Sequence, residues 1–383
     1  MKNLHIEKFK CFRNIDIPLN QLTVFVGANG YGKSTSIQSI LLLKKAIDSN
    51  KDDADDPSYI YLNDVYGQNL GIFESVRNVI DEEVVFSISI TSDRIYDEVS
   101  SSEIIEDKVN FLEYLDDSGL SNFQVEIYVE KSENLNKKYF YYLSAERVGP
   151  RISQPLVHLD YPNVGIMGEY TAQVIESFPV NRKIDGNRCF PESKNKRLEA
   201  QVNEWLNSIF PDVKIKAKKS LETLTAQILI DNNFSKDNFA TNIGFGISYA
   251  LPVIVTCLIA EKNTFVVIEN PEAHLHPAAQ AAMGNFLAKM SHAGLNIIVE
   301  THSDHIIEGI QLYVAKNPEW HDNVTINCFG RKDKEDQPSV DSITFNKNAE
   351  FSGWPEGFMD QSQIDFTELR NVRVQQKKGT DFT

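Results

Sequence analysis

Apolar positions fall into a few short runs, and the polar stretches between them predict where elements begin and end. Residues 1–12 alternate as a half-buried strand does, and 22–26 (LTVFV) is a continuous run of the buried-strand kind. A glycine-rich loop follows. Residues 34–47 then carry Ile37, Ile40, Leu41, Leu42, Leu43 and Ile47, which predicts a largely buried helix. Residues 84–90, 123–129 and 139–143 read as strands, the first two flanking an acidic insertion. From 150 to about 238 the chain turns polar and loop-rich. It still predicts a helix with Leu198, Val202, Trp205, Leu206 and Ile209 on one face. After it, Val213 and Ile215 alternate with Lys214, Lys216 and Lys218, an edge strand guarded by lysines or, as the sharper alternative, a nucleic-acid or partner surface.

The pattern changes again near 247. Residues 247–261 predict a helix with Pro252 early, where proline is tolerated. Residues 265–268 (FVVI) and 295–299 (LNIIV) predict buried strands on either side of a helix over 278–290. Apolar strands alternating with helices predict an α/β fold with a mixed, largely parallel core sheet, a smaller antiparallel β part and a helical lobe. No internal repeat or sustained heptad pattern is present.

Composition narrows the function classes. The 383 residues carry a net charge of −16, so any nucleic-acid contact must come from a local basic patch. Two acidic stretches, Asp52–Asp53–Asp55–Asp56 and 93–117, read as solvated loops. Four scattered cysteines without a CxxC pair suit a reducing cytoplasm and give no zinc framework. The longest apolar stretch, 251–260, is too short to span a bilayer, and no secretory signal is visible.

Four motifs carry chemistry. Residues 27–34 (GANGYGKS) match GxxxxGK[ST]: glycines turn backbone amides toward phosphate, Lys33 reaches the β- and γ-phosphates, and Ser34 ligates Mg2+. Residues 265–277 (FVVIENPEAHLHP) end an apolar strand on Glu269, a carboxylate expected to hold Mg2+ through water. Residues 300–305 (ETHSDH) follow the next buried strand and bring His302 toward a γ-phosphate. Residues 242–252 (NIGFGISYALP) place Gly244, Gly246 and Ser248 at a second helix start. One chain needs only one phosphate site, so this second device fits a nucleotide held by another subunit. A zinc site at His274, His276 and His302 lacks a completing shell.

In that order, GANGYGKS, NIGFGIS, VVIENPEAHLHP and IIVETHSDH resemble the SMC/RecF/OLD branch of ABC-type ATPases. The opening residues look like the N-terminal strands of that branch, and 1–45 and 240–310 carry most of the likeness. The runs at 142–151 (YLSAERVGPR), 168–171 (GEYT) and 353–361 (GWPEGFMDQ) are similar to its short bacterial members, which lack coiled coil and fused nuclease.

The resemblance implies an ABC-ATPase head split over 1–150 and 241–330, an inserted lobe at 151–240 and an extension at 331–383. It implies ATP and Mg2+ held by Gly27, Asn29, Gly30, Gly32, Lys33, Ser34 and Thr35, with Lys10 on the phosphates and Gln68 as the metal-sensing glutamine. Gly246 and Ser248 would act in trans, in a head-to-tail homodimer or an oligomer of dimers. The catalytic set would be Glu269, Asn270, Glu272 and His302. Asn270 stands where many relatives have a second carboxylate, and an amide is a poor proton acceptor. Hydrolysis is therefore expected to be slow, to use Glu272, or to be dispensable. His276 replaces a further aspartate. The likeness also implies a separately encoded nuclease or toxin as effector, in bacterial DNA metabolism or anti-phage defence. The basic strand at 214–219 and the tail with Arg370, Arg373, Lys377 and Lys378 are the candidate places for DNA or partner contacts. An OLD-type nuclease within this chain is disfavoured, because 333–336 (DKED) reads as a hairpin tip.

Overall fold

The computed structural model describes residues 2–50, 58–80, 85–95, 102–114, 123–131, 135, 139–179, 181–331, 337–355 and 358–380. Strands β1 (Lys2–Phe9), β2 (Phe12–Leu19) and β3 (Leu22–Gly27) lead through the glycine loop into α1 (Lys33–Ser49). Then come β4 (Ser58–Tyr61), β5 (Asn63–Val65), β6 (Gln68–Asn69), the single turn α2 (Phe73–Val76), β7 (Val85–Ile95), β8 (Ser102–Glu113) and β9 (Gln124–Lys131). The middle holds β10 (Tyr141–Leu143), β11 (Gln154–Pro155), α3 (Thr171–Ser177), α4 (Leu198–Ile209), β12 (Lys214–Ser220), β13 (Thr225–Asp231) and β14 (Asn238–Phe239). The rest is α5 (Phe245–Ile259), β15 (Phe265–Glu269), α6 (Pro277–His292), β16 (Asn296–Glu300), α7 (Asp304–Lys316), β17 (Val324–Gly330), β18 (Ser339–Ile343) and α8 (Gln361–Thr380).

The core sheet runs β10-β15-β16-β3-β17-β18, parallel except for the last pair. The central strands β15, β16 and β3 are largely apolar on both faces because both faces are covered. Side chains alternate across the sheet. Val24, Val266, Ile268, Ile297 and Val299 therefore pack into one core with α3 to α7. Phe25, Phe265, Val267, Ile298 and Phe329 pack into a second core with α1 and an antiparallel sheet of order β2-β1-β7-β8-β9-β4. A third small sheet, β11-β13-β12 with β14 on β13, flanks the helices. This is the mixed α/β architecture that the patterning predicts. Among the described residues no helix is long and apolar enough to cross a membrane.

Two expectations need correction. The helix around Pro252 starts at Phe245, so the proline lies inside it, beyond the first turn. It survives there because α5 is held by burial: Leu251, Val253, Ile254, Val255 and Cys257 are at most 1% exposed. The acidic stretch 93–117 is not simply a solvated loop, since it contributes β8, with Val109 and Phe111 in the second core. Asp107 on that strand is buried and accepts the Leu135 amide at 2.7 Å. The Asp52–Asp56 cluster and 333–336 lie outside the described residues. The lysine strand β12 does sit at a sheet edge, but Lys216 pairs with Asp231 at 2.7 Å and Lys219 with Glu176 at 2.9 Å.

Candidate functional site

The phosphate-type loop is shaped by glycines that no other residue could replace. Gly27 (φ 127°) passes so close to the Phe329 carbonyl that a Cβ would lie 2.2 Å from its oxygen. Gly32 (φ 97°) would put a Cβ 2.3 Å from the Phe12 ring. α1 begins at Lys33 with no side chain capping it, so its first amides and its dipole face an open cleft. Lys33 Nζ folds back to donate to the carbonyls of Gly27 (2.7 Å) and Ala28 (2.9 Å). Burial lowers its pKa, against the opposing pull of Glu300.

Two carboxylates end neighbouring parallel strands, with Glu269 and Glu300 in register. Both oxygens of Glu269 are engaged. Tyr142 donates to one at 2.9 Å, and the Ala145 amide to the other at 3.2 Å. Glu300 lies one strand nearer the loop and accepts from the Ser34 hydroxyl at 3.5 Å. Burial, with the Glu269 charge beside it, pushes the Glu300 carboxyl up to about 7; burial raises Glu269 as well. Beneath them Arg147 donates to the carbonyls of Ser144 (3.0 Å), Glu269 (2.7 Å) and Asn270.

A cleft of about 440 Å³ brings together Lys10, Asn29, Gly30, Gly32, Lys33, Ser34 and Thr35. Glu269, Asn270, Glu300 and His302 line its other side. Lys10 donates to Gln38 at 2.6 Å. Asn270 takes a left-handed backbone (φ 44°), which asparagine tolerates better than glutamate, and its Oδ1 is buried with no hydrogen bond among the described residues. Burial lowers the His302 pKa, favouring the neutral imidazole.

Four predicted site residues, Glu272, Gln68, Gly246 and Ser248, do not line the cleft. Glu272 accepts from the Thr301 hydroxyl and the His302 amide, both at 2.8 Å, so it clamps the loop that carries His302. Gln68 reaches Glu269 only through Tyr142, to whose hydroxyl it donates at 2.7 Å. Gly246 packs against the His274 carbonyl, and Ser248 borders a separate small pocket. His276 caps α6 by accepting from the Ala278 amide. Sequence reasoning missed Tyr142, Ala145 and Arg147, for which the run at 142–151 was the available signal; it set Glu300 at the same sheet edge as Gly27 and Glu269 but gave it no role.

A strand, glycine loop and helix with Lys33 and Ser34, facing carboxylates at the ends of parallel neighbours, define an ABC-type P-loop ATPase head of the SMC/OLD kind. The chain belongs to the family described as "AAA domain, putative AbiEii toxin, Type IV TA system", whose model matches residues 22–308. Among curated proteins it is 28% identical to the Old nuclease of Escherichia phage P2 over 132 residues, 29% of this chain and 22% of that one. It is 44% identical to the OLD nuclease of Thermus scotoductus over 43 residues, 11% of this chain and 8% of that one. The match thus spans under a quarter of either relative. Among solved structures, an SMC head bound to the C-winged helix domain of ScpA has a TM-score of 0.50 at 14% identity, over 90% of this chain and 98% of that one. A Pyrococcus furiosus Smc head with an extended coiled coil, bound to the C-terminal domain of ScpA, has a TM-score of 0.53 at 11% identity, over 97% and 100%. At such identities the likeness is one of fold.

Proposed function

We propose that the chain binds ATP with Mg2+ in this cleft, closes head-to-tail on a second copy around the nucleotide, and hydrolyses it to switch a separate effector. The observation that carries the reading is the meeting, in one cleft, of an uncapped helix start, Lys33, Ser34 and two buried carboxylates. Lys33 would exchange the carbonyls of Gly27 and Ala28 for phosphate oxygens, and Lys10 would add a second positive charge. The Ser34 hydroxyl and the carboxylates on neighbouring strands are the oxygen donors a hard divalent ion takes. Among the described residues no three His, Cys, Asp or Glu side chains gather as a metal site, so phosphates would complete the shell. Bound Mg2+ would neutralise phosphate charge.

His302, neutral and fixed by Glu272, would hydrogen-bond the γ-phosphate. Asn270 would hold a water without taking its proton, so turnover by the chain alone is expected to be slow. Gly246 and Ser248 are absent from the cleft of their own chain, which supports their acting on the nucleotide of a second copy. The family's description names a toxin, and the curated relatives are nucleases. Both support an effector of that kind; its setting would be bacterial DNA metabolism or defence against phage, in the cytoplasm. The SMC heads solved with ScpA domains support partner docking on such a fold.

A second reading, a nucleotide-gated scaffold with little hydrolysis, is favoured by Asn270 and by the full engagement of Glu272. Single-turnover hydrolysis separates the two. Gating itself is tested by solution mass: ATP should raise the mass of the wild type and leave Lys33→Ala unchanged. Identical behaviour of the two proteins would remove the dimer-closing role.

A further inference from the structure

The carboxylate nearest the Ser34 hydroxyl is not the one at the end of β15. β16 lies between β15 and the loop strand β3, so Glu300, in register with Phe25, stands one strand closer to the glycine loop than Glu269. The oxygens of Glu269 are turned to Tyr142 and Ala145, on the β10 side. Those of Glu300 receive one long hydrogen bond, from Ser34 at 3.5 Å, and no other is found among the described residues. The neighbouring cation, Lys33, spends its ammonium on two loop carbonyls.

Glu300 is only 5% exposed. A buried carboxylate so poorly served costs stability unless a ligand completes it. Meanwhile the residue after Glu269 is an amide, so the second negative charge of the cleft comes from the next strand instead.

We propose that Glu300 is a direct ligand of the divalent cation that accompanies ATP, sharing it with Ser34 and the phosphates while Glu269 holds it through water. The inference rests on the reading of the cleft as an ATP site. It has a consequence for specificity: nucleotide without a cation would bring its phosphates against two carboxylates. Metal-free ATP should bind poorly, and the cation should strengthen binding strongly.

The experiment is calorimetric titration of ATP into the wild type and Glu300→Gln, once in EDTA and once in saturating Mg2+. In the wild type the ratio of the two affinities should be large. In Glu300→Gln it should shrink by on the order of tenfold or more, the scale on which metal sites lose affinity when a supporting group is removed. Thermal unfolding in EDTA checks the fold, and the variant's midpoint should equal or exceed that of the wild type, because a like charge has gone. Equal ratios in the two folded proteins would overturn the assignment. Should the variant not fold, Glu300→Asp takes its place, with a reduced ratio expected and an unchanged one overturning. A wild type that binds ATP under neither condition would bring down the underlying reading instead, so the two failures are distinguishable.

Discussion

Glu269 and Glu300 end adjacent strands whose backbones lie about 4.8 Å apart, and both side chains are buried, so their charges repel. Burial and the Glu269 charge raise the Glu300 carboxyl from 4.5 to about 7. Between those values the folded, ligand-free protein binds more protons at this group than the unfolded chain does. Its contribution is therefore present at low pH and lost as pH rises through about 7, the reverse of a salt-bridged carboxylate. Burial raises Glu269 in the same direction. Denaturant unfolding of metal-free protein should accordingly show stability falling from pH 5 to 7.5, by up to about 3 kcal/mol for this one group. Glu300→Gln should flatten that slope, and parallel slopes would show that the group titrates normally.

Among the elements, β10, β15 and α5 are joined by one side chain. Arg147 donates to carbonyls at the ends of the first two and lies 5.5 Å from the ring of Tyr249 on the third. It thereby ties the turn after Glu269 to the helix whose start carries Gly246 and Ser248. Arg147→Ala would leave three carbonyls without this donor and should cost about 3 kcal/mol or more, read from denaturant unfolding. A loss under about 1 kcal/mol would mean that solvent or neighbours replace the guanidinium.

Patterning foretold the strands buried on both faces, β3, β15 and β16, with α1, and also β1, β7, β9, β10, α4, α5 and α6. β17 escaped because Thr325 and Asn327, at the centre of VTINCFG, face inward. Both are at most 1% exposed, and Asn327 is satisfied by the Pro18 carbonyl and the Ser342 hydroxyl, so burial there does not read as hydrophobicity. The glycine loop was legible because its constraint is local. Glu300 and Tyr142 gain their meaning from strand pairing, and linear spacing carries none of it.

At the scale of the molecule, the described parts of the fold leave α8 outside both cores, with Ile364, Phe366, Leu369, Val372 and Val374 exposed at its surface. Arg370 and Arg373 lie on the same helix, within a chain of net charge −16. The start of α5 is also open: Phe245 is 54% exposed, and Gly246 and Ser248 stand away from their own phosphate-type cleft. The proposed closure by a second copy would bring the start of α5 in one molecule to the phosphate-type cleft of the other. All of this depends on triphosphate occupying the loop of residues 27–34. Titrating Mg·ATP into purified, folded protein in a calorimeter tests that most directly. The account predicts saturable heat near one nucleotide per chain that disappears in Lys33→Ala; no heat with the wild type would contradict it.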